Sequence, residues 1–331
     1  MAAQSEASGA RGASGAFTEA RAREVLALAG EDPGRARLLA HGENAVFVLP
    51  GSGGDAEGDP AVASATDSGG DGDGDGAWTG GTVVRVGRAQ PDLVARAAHE
   101  LRVASWLEEC GVPAVRAARA EAVVIEGHPL TFWRRLPEPV RTPGPGDLAA
   151  LLRRVHALPA PPFALPPRDL LGGIERWLRI AGDAIPAADA AYLRARRDDF
   201  AAAAAELIPV LPPGPIHGDA LPRNIQVGPD GPVLLDLETF SHDLREHDLV
   251  VMALSHDRYG LGDEGYADFT GTYGYDVRDW PGCAVLRGAR ETASCAWVAQ
   301  HAPVNPAAGR EFARRVASLR EGDTTVRWLP F

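Results

Sequence analysis

The stretch with the clearest chemical content lies in the second half of the chain, at residues 215–238. It contains Asp219 in the run His-Gly-Asp, an amide at Asn224 five residues later, and a second carboxylate at Asp236, twelve residues beyond the amide. Phosphoryl transfer needs a carboxylate that orients the attacking hydroxyl and accepts its proton. It also needs oxygen ligands that hold Mg²⁺ against nucleotide phosphates, and Asn and Asp side chains supply such oxygens. These residue types at this spacing therefore favour phosphoryl transfer.

The spacing D-x-x-x-x-N matches the catalytic loop of kinases, with Gly218 where protein kinases carry Arg. Together with His217 and the later Asp236, it resembles the signature of the aminoglycoside phosphotransferase family, the small-molecule branch of the protein-kinase-like fold. The resemblance extends over residues 16–320, apart from one acidic insertion. It implies an α+β, bilobal fold with a small antiparallel-sheet N-lobe and a larger helical C-lobe.

The same resemblance implies a role for each residue of the loop. Asp219 is the expected catalytic base, and Asn224 and Asp236 are the expected magnesium ligands, with ATP or alternatively GTP as the phosphate donor. His217 is interpreted as bracing the backbone rather than carrying protons. Gly218 is expected to have a backbone role.

Two further acids follow the loop. Glu238 is either an acid that faces the metal or the substrate, or an exposed Glu at a helix start. Asp248 resembles the Asp-Leu segment that caps a following helix in this family, so a structural role is favoured.

Kinase-like folds also need a cation on a strand that contacts the phosphates and is held by a helix Glu. Arg85 and Glu100 supply a candidate pair, each in a suitable predicted element. The alternatives are an Arg on a solvent-facing strand edge, and Arg88 as the phosphate contact. A turn with Gly42 and Asn44 lies where the family's nucleotide-covering loop is expected, although it has one glycine rather than three.

Residues 132–136 are the expected link between the lobes, where backbone groups would bind the adenine edge. The side chains of Phe132 and Trp133 are at least as well explained as core residues.

Hydrophobic patterning predicts the elements that must position these residues. Strands are predicted at 45–49, 82–86, 114–117 and 122–125, followed by an apolar aromatic run at 130–133, and helices are predicted at 18–28 and 92–110. After a Pro-rich boundary at 137–146, helices are predicted at 147–157, 169–183, 187–207, 283–300 and 306–320, with further helical segments from 250 onward. The expected organisation is a disordered tail at 1–15, an N-lobe at 16–136 and a C-lobe at 137–331.

Residues 51–80 are predicted to be a disordered insertion, because ten glycines and seven acids without any base offer little apolar surface for burial. Residues 71–76 match the first half of a calcium loop, but position 12 is Thr82 rather than Glu. A solvated acidic linker is therefore the favoured interpretation. The insertion holds seven of the net 12 negative charges, so bulk acidity says little about the substrate.

Composition excludes several classes of protein. All 33 basic residues are Arg, which excludes P-loop kinases and enzymes that need a lysine nucleophile. Net acidity argues against a nucleic-acid partner. Three widely spaced cysteines do not suggest a disulfide framework, so the expected location is the reducing cytoplasm. We expect no signal peptide or membrane span and find no sign of a protein partner.

Only eleven residues separate Asp236 from Asp248, and no A-P-E follows, which disfavours protein substrates. The expected acceptor is a hydroxyl on a small molecule, either an antibiotic such as an aminoglycoside, implying resistance, or a polar metabolite. A polar cluster that would suit a cationic acceptor, or equally form a solvated helix face, comprises Tyr259, Asp263, Glu264, Tyr266, Asp268, Tyr273 and Asp276. The alternatives in function are a catalytically weak nucleotide-binding pseudokinase and a nucleotidyl transferase.

Overall fold

The computed structural model describes residues 17–42, 44–50 and 81–331. The predicted tail at 1–15 and the predicted insertion at 51–80, with its calcium-type run, lie outside the described residues. The described chain divides into two compact units. The first comprises residues 17–42, 44–50, 81–98 and 117–135, and the second comprises residues 99–116 and 136–331.

The first unit is built on a five-stranded sheet in which all neighbouring strands are antiparallel. The strands are β1 (Arg37–His41), β2 (Asn44–Leu49), β3 (Thr82–Gly87), β4 (Val123–Ile125) and β5 (His128–Arg134), in the order β1-β2-β3-β5-β4. Side chains alternate between faces along a strand, so Val84 and Val86 enter the core while Arg85 lies on the opposite face.

Helix α1 (Glu19–Leu28) covers the apolar face of this sheet. It begins after Thr18, whose hydroxyl accepts a hydrogen bond from the Arg21 N–H at 3.2 Å. Val25 and Leu26 are fully buried in a core that also contains Phe47. The predicted helix at 18–28 is confirmed, as are the predicted strands at 45–49, 82–86 and 122–125.

Two differences from the predicted strands have physical causes. β1 was not expected, because its side chains are mostly exposed and leave no alternating apolar pattern. The predicted strand at 114–117 is wrong. Ala114 forms a single bridge with Leu234 and Ala117 a single bridge with Trp133, so no one strand runs beside this segment.

The second unit is mainly helical. Its helices include α3 (Pro145–His156), α4 (Ile174–Ala181), α5 (Ala187–Ala205), α6 (Glu246–Arg258), α7 (Asp263–Tyr273), α8 (Cys283–Ala299) and α9 (Pro306–Glu321), and the division between the units falls within α2 (Pro91–Glu109). Helix α8 lies at the centre, because α4, α5, α6 and α9 all pack against it. Its buried face is lined with small residues such as Ala293 and Ala296, which permit this close packing.

Two short antiparallel ribbons accompany these helices. One pairs β6 (Gly214–Ile216) with β9 (Ser241–Asp243), and the other pairs β7 (Ile225–Gly228) with β8 (Gly231–Leu234). The segment between β6 and β7 is the predicted catalytic loop. The α+β class predicted from the sequence is confirmed.

The helix predicted at 169–183 is shorter than expected and begins at Ile174. The Asp169 carboxylate accepts a hydrogen bond from the Gly172 N–H at 2.7 Å, which forms a turn ahead of the helix. Among the described residues, we find no helix with the length and apolar character needed to span a bilayer.

Candidate active site

The loop between β6 and β7 brings Asp219 and Asn224 together. The side-chain nitrogen of Asn224 donates to the backbone oxygen of Asp219 at 2.8 Å and to its carboxylate Oδ2 at 3.2 Å. Asn224 is buried, whereas Asp219 is partly exposed. These bonds orient the Asp219 carboxylate and leave the amide oxygen as the end of Asn224 that can approach a cation.

Asp236 is placed through its neighbour Leu235. The Leu235 N–H donates to the Asn224 backbone oxygen at 2.9 Å, and the Leu235 oxygen accepts from His217 Nε2 at 2.9 Å. Asp236 is exposed and has a left-handed backbone with φ +56°. A non-glycine residue is uncommon in this region, although Asp is among the residue types that tolerate it. Glu238 is half-buried in the single 3₁₀ turn that follows, at Leu237–Thr239.

His217 braces the loop through both ring nitrogens. Nε2 donates to the Leu235 carbonyl, and Nδ1 accepts from the Asp219 N–H at 3.3 Å. One donating and one accepting nitrogen are the pattern of a neutral imidazole. This geometry supports the interpretation of His217 as a residue that holds the backbone.

Asp248 anchors the loop from α6. Its Oδ2 accepts from the His217 N–H at 2.7 Å, and its Oδ1 accepts from the Gly218 N–H at 2.8 Å. His156 Nε2 donates to Oδ2 at 3.1 Å. Burial alone would raise the pKa of Asp248, but the hydrogen bonds from the His156 side chain and the His217 backbone lower it to about 2.

The prediction that Asp248 caps the following helix is therefore wrong. Arg245 is at the N-cap of α6, and Asp248 lies within the first turn with its carboxylate on the loop amides. The role remains structural, but Asp248 orients the predicted catalytic loop instead of capping a helix.

Gly218 is required by the backbone of this loop. Its φ is +84°, and a Cβ at this position would lie 2.4 Å from the Thr239 carbonyl oxygen. Its own carbonyl accepts from Arg168 Nε at 3.0 Å and from Arg290 Nη2 at 2.9 Å. The sequence-based prediction of a backbone role is supported by these contacts.

We expect Gly218→Ala to lower turnover at least tenfold and to destabilise the fold by about 2 kcal/mol, because the backbone must shift away from Thr239 and carry Asp219 with it. The matched control is Gly231→Ala at the first residue of β8, where φ is +112° and a Cβ would meet nothing within 4 Å. Steady-state kinetics and urea unfolding of both variants test this. Equal effects of the two substitutions would contradict a specific role for Gly218.

The nucleotide-binding candidates fall in both units. Arg85 is in β3, opposite Val46 of β2 and Thr131 of β5. Gly42 and Asn44 form the turn before β2, where the Gly42 N–H donates to the Asn44 oxygen at 3.0 Å. These three residues belong to the first unit, whereas Glu100 belongs to the second, where it is buried in α2.

The rival phosphate contact Arg88 donates to the Gly42 oxygen at 3.2 Å, so it supports the turn. Phe132 and Trp133 are both buried, as expected for core residues. The Arg119 guanidinium lies 3.6 Å from the centre of the Phe132 ring.

Sequence reasoning missed two arginines beside the catalytic loop, Arg168 and Arg290. Burial and the neighbouring Arg168 lower the pKa of Arg290 to about 10, with Asp219 and Asp248 acting in the opposite direction. The available signal was the position of Arg290 on α8, on the same face as the buried Leu286 and Ala293. A charged residue on an otherwise apolar helix face indicates a buried polar contact.

The polar cluster predicted for the acceptor is occupied by contacts within the chain. Asp276 accepts from the Tyr266 hydroxyl at 2.6 Å and from Arg278 Nη2 at 2.8 Å. Asp268 accepts from the Gly146 N–H at 2.8 Å, at the start of α3. Tyr273 bonds His156 at 2.8 Å, Asp263 bonds His256 at 2.8 Å, and Tyr259 bonds Ser294 at 3.0 Å. These contacts favour the interpretation of a structural and solvated helix face.

A cleft of about 560 Å³ lies beside the loop in the second unit. It is lined by residues 139–143 and by Arg223 and Gln226, with Ile225, Val227 and Leu235 supplying apolar surface.

Three solved structures show what the fold is similar to. An amicoumacin kinase, hAmiN, in complex with AMP-PNP, Ca²⁺ and Ami, is 13% identical with a TM-score of 0.64, over 94% of this chain and 98% of its own. A thermostable mutant of the aminoglycoside phosphotransferase APH(4)-Ia in its apo form is 12% identical with a TM-score of 0.57, over 91% and 99%. A choline/ethanolamine kinase family protein from Mesorhizobium loti is 17% identical with a TM-score of 0.55, over 92% and 94%. These similarities confirm the predicted protein-kinase-like fold.

A comparison with curated protein sequences gives no match. A family model described as a phosphotransferase enzyme family, APH, matches residues 73–286, which is more than half of the chain and includes Asp219, Asn224 and Asp236. On this match, the chain belongs to the APH phosphotransferase enzyme family.

Proposed function

We propose that the protein is a small-molecule kinase that transfers the γ-phosphate of ATP, as a complex with Mg²⁺, to a hydroxyl of the acceptor. The observation that carries the proposal is the hydrogen-bonded arrangement of Asp219 and Asn224, with Asp236 held next to them through Leu235. This arrangement supplies the base and the oxygen ligands that phosphoryl transfer requires.

Asp219 is the proposed base. Its partly exposed carboxylate orients the acceptor hydroxyl and takes its proton while the hydroxyl oxygen bonds to the γ-phosphorus. The bond from that phosphorus to the bridging oxygen breaks, and the nucleoside diphosphate leaves. Asn224 keeps the carboxylate in place, and Asp248 fixes the backbone on which it is carried.

The donor set fits a hard divalent cation. Asn224 offers its amide oxygen, because its nitrogen is used by Asp219, and the exposed Asp236 offers a carboxylate. Mg²⁺ commonly takes one or two protein ligands and completes its octahedron with water and substrate phosphates. When bound, it would neutralise charge on the phosphates, and Asn224 and Asp236 are the residues that would hold it.

The cleft beside the loop is the proposed site of the nucleotide base. Ile225, Val227 and Leu235 give part of its lining aliphatic character, which suits a planar ring. Such a surface does not distinguish adenine from guanine, so GTP stays an alternative donor. Arg85, Glu100, Gly42 and Asn44 are the proposed phosphate-binding residues on the basis of the family resemblance.

The test is a screen of hydroxylated antibiotics and metabolites for acceptor-dependent ADP release in the presence of Mg²⁺. We expect at least one acceptor to stimulate ADP release by the wild-type protein and none to stimulate the Asp219→Asn variant. Release of AMP would instead indicate nucleotidyl transfer. The same slow background in both proteins with every acceptor would favour a nucleotide-binding pseudokinase.

A further inference from the structure

Two guanidinium groups lie within 4 Å of the Asp219 carboxylate, and a third arginine binds the backbone of the preceding residue. Arg223 Nη2 lies 3.3 Å from Oδ2, and Arg290 Nη1 lies 3.9 Å from Oδ1. Arg168 is held on the adjacent Gly218 carbonyl. The proposed base is therefore in a cationic environment.

Arg290 has donors that the fold does not use. Its Nη2 donates to the carbonyls of Gly218 and His247, at 2.9 and 3.2 Å. Within the described part of the chain, its buried Nε makes no hydrogen bond. Its Nη1 lies 3.9 Å from Asp219 Oδ1, which is close enough for an ion pair but too far for a hydrogen bond. A buried guanidinium with unused N–H groups is costly unless an acceptor reaches it.

Three other carboxylates near the loop, those of Asp248, Asp243 and Asp169, are committed to backbone amides. Both oxygens of Asp248 bind the loop. Asp243 accepts from the N–H groups of Arg168 and Leu244, at 2.9 and 2.8 Å. Asp169 accepts from the Gly172 N–H. Apart from Asp236, the proposed metal ligand, and Glu238, the charged side chains described beside Asp219 are therefore those of arginines.

Recognition of a polycation would require carboxylates in these positions. Of the four acids that the sequence suggested for this task, Asp263, Asp268 and Asp276 bind partners within the second unit. The charge beside Asp219 thus favours an anionic acceptor over an amine.

We propose that the acceptor carries an anionic group, a carboxylate or a phosphate, close to its reactive hydroxyl, and that Arg290 and Arg168 bind that group. This inference rests on the proposed function and narrows its substrate class. The planar guanidinium matches both carboxylate and phosphate oxygens, because its N–H groups can bind two oxygens at once.

The test uses acceptors that differ in charge on one pyranose frame: glucuronate and glucose 6-phosphate as anions, glucose as the neutral compound and glucosamine as the cation. ADP release gives kcat/KM for each acceptor, and melting temperature reports binding without turnover. The proteins are wild type, Arg290→Gln, Arg168→Gln and the control Arg194→Gln, whose side chain lies on α5 and pairs with Glu175 of α4. Arg168 is half-buried, so its variant serves if loss of the buried Arg290 impairs folding.

We expect an anionic acceptor to exceed glucose and glucosamine in kcat/KM, and Arg290→Gln or Arg168→Gln to reduce that preference by about 30-fold, the usual consequence of losing one partner of a desolvated charge pair. Arg194→Gln should keep the wild-type preference. The two anions distinguish carboxylate from phosphate recognition.

Turnover with glucosamine equal to or above that with the anions would overturn the inference while leaving the proposed function intact. If none of the four acceptors supports turnover, the wider acceptor screen decides the proposed function and the melting temperatures decide the inference. Stabilisation of wild type but not of Arg290→Gln by an anion would support it, and no stabilisation by either anion would overturn it.

Discussion

Replacing Asp219 by Asn is expected to lower kcat by about 10³-fold, within the range typical of losing a general base. Asn has the same shape and can still accept the hydrogen bond from Asn224, so the loop should keep its conformation. It cannot take the proton of the acceptor hydroxyl at neutral pH. Because the residue acts on the acceptor, the affinity for nucleotide should change little.

The measurement is steady-state ADP release with the acceptor found in the screen, together with nucleotide affinity by calorimetry. Asp230→Asn is the matched control, because Asp230 is exposed in the β7–β8 turn and has no proposed role. If kcat of the Asp219→Asn variant were within tenfold of the wild-type value, Asp219 would not be the general base.

The second large effect is expected at Asp236. Asp236→Asn should reduce turnover at least 100-fold at millimolar Mg²⁺ and shift half-maximal activity to higher Mg²⁺ concentrations, because a neutral amide is a weaker ligand for a hard cation than a carboxylate. Asn tolerates the left-handed backbone found here, so the fold should be retained. Asp236→Ala should abolish activity as well, with an added cost of about 1 kcal/mol from the strained backbone.

The magnesium titration separates the two residues. Asp219→Asn should lose turnover at every Mg²⁺ concentration, whereas Asp236→Asn should recover in part as Mg²⁺ rises. Melting temperatures confirm that each variant is folded before activity is compared. An Asp236→Asn variant with wild-type turnover and an unchanged Mg²⁺ requirement would refute the metal assignment.

Because the chain has no lysine, the cations beside the loop are arginines. Two arginines share the Gly218 carbonyl, and each has further donors left for other partners. A guanidinium offers five N–H groups in a plane and keeps its charge when partly buried, whereas a lysine offers one charged nitrogen. The cations beside Asp219 are therefore suited to brace the backbone and bind an anion together.

Much of the fold was predictable from local pattern. Helix α9 was expected at 306–320 and occupies Pro306–Glu321, because apolar residues recur at helical spacing between an Asn cap and a C-terminal Gly. β1 was not predictable, since an exposed edge strand lacks the alternation that marks a buried one.

The sequence alone indicated the chemistry proposed for the site, because Asp219, Asn224 and Asp236 lie within eighteen residues of one another and their types and spacing do not depend on how the chain packs. The tertiary structure decided what surrounds them. Asp248 lies about thirty residues beyond the loop in the sequence, and Arg290 lies 72 residues beyond Gly218. A local sequence pattern cannot predict contacts between residues so far apart in the chain. Both residues are buried on helices and bind the backbone of the loop, because a buried charged side chain is costly unless it has hydrogen-bonding partners.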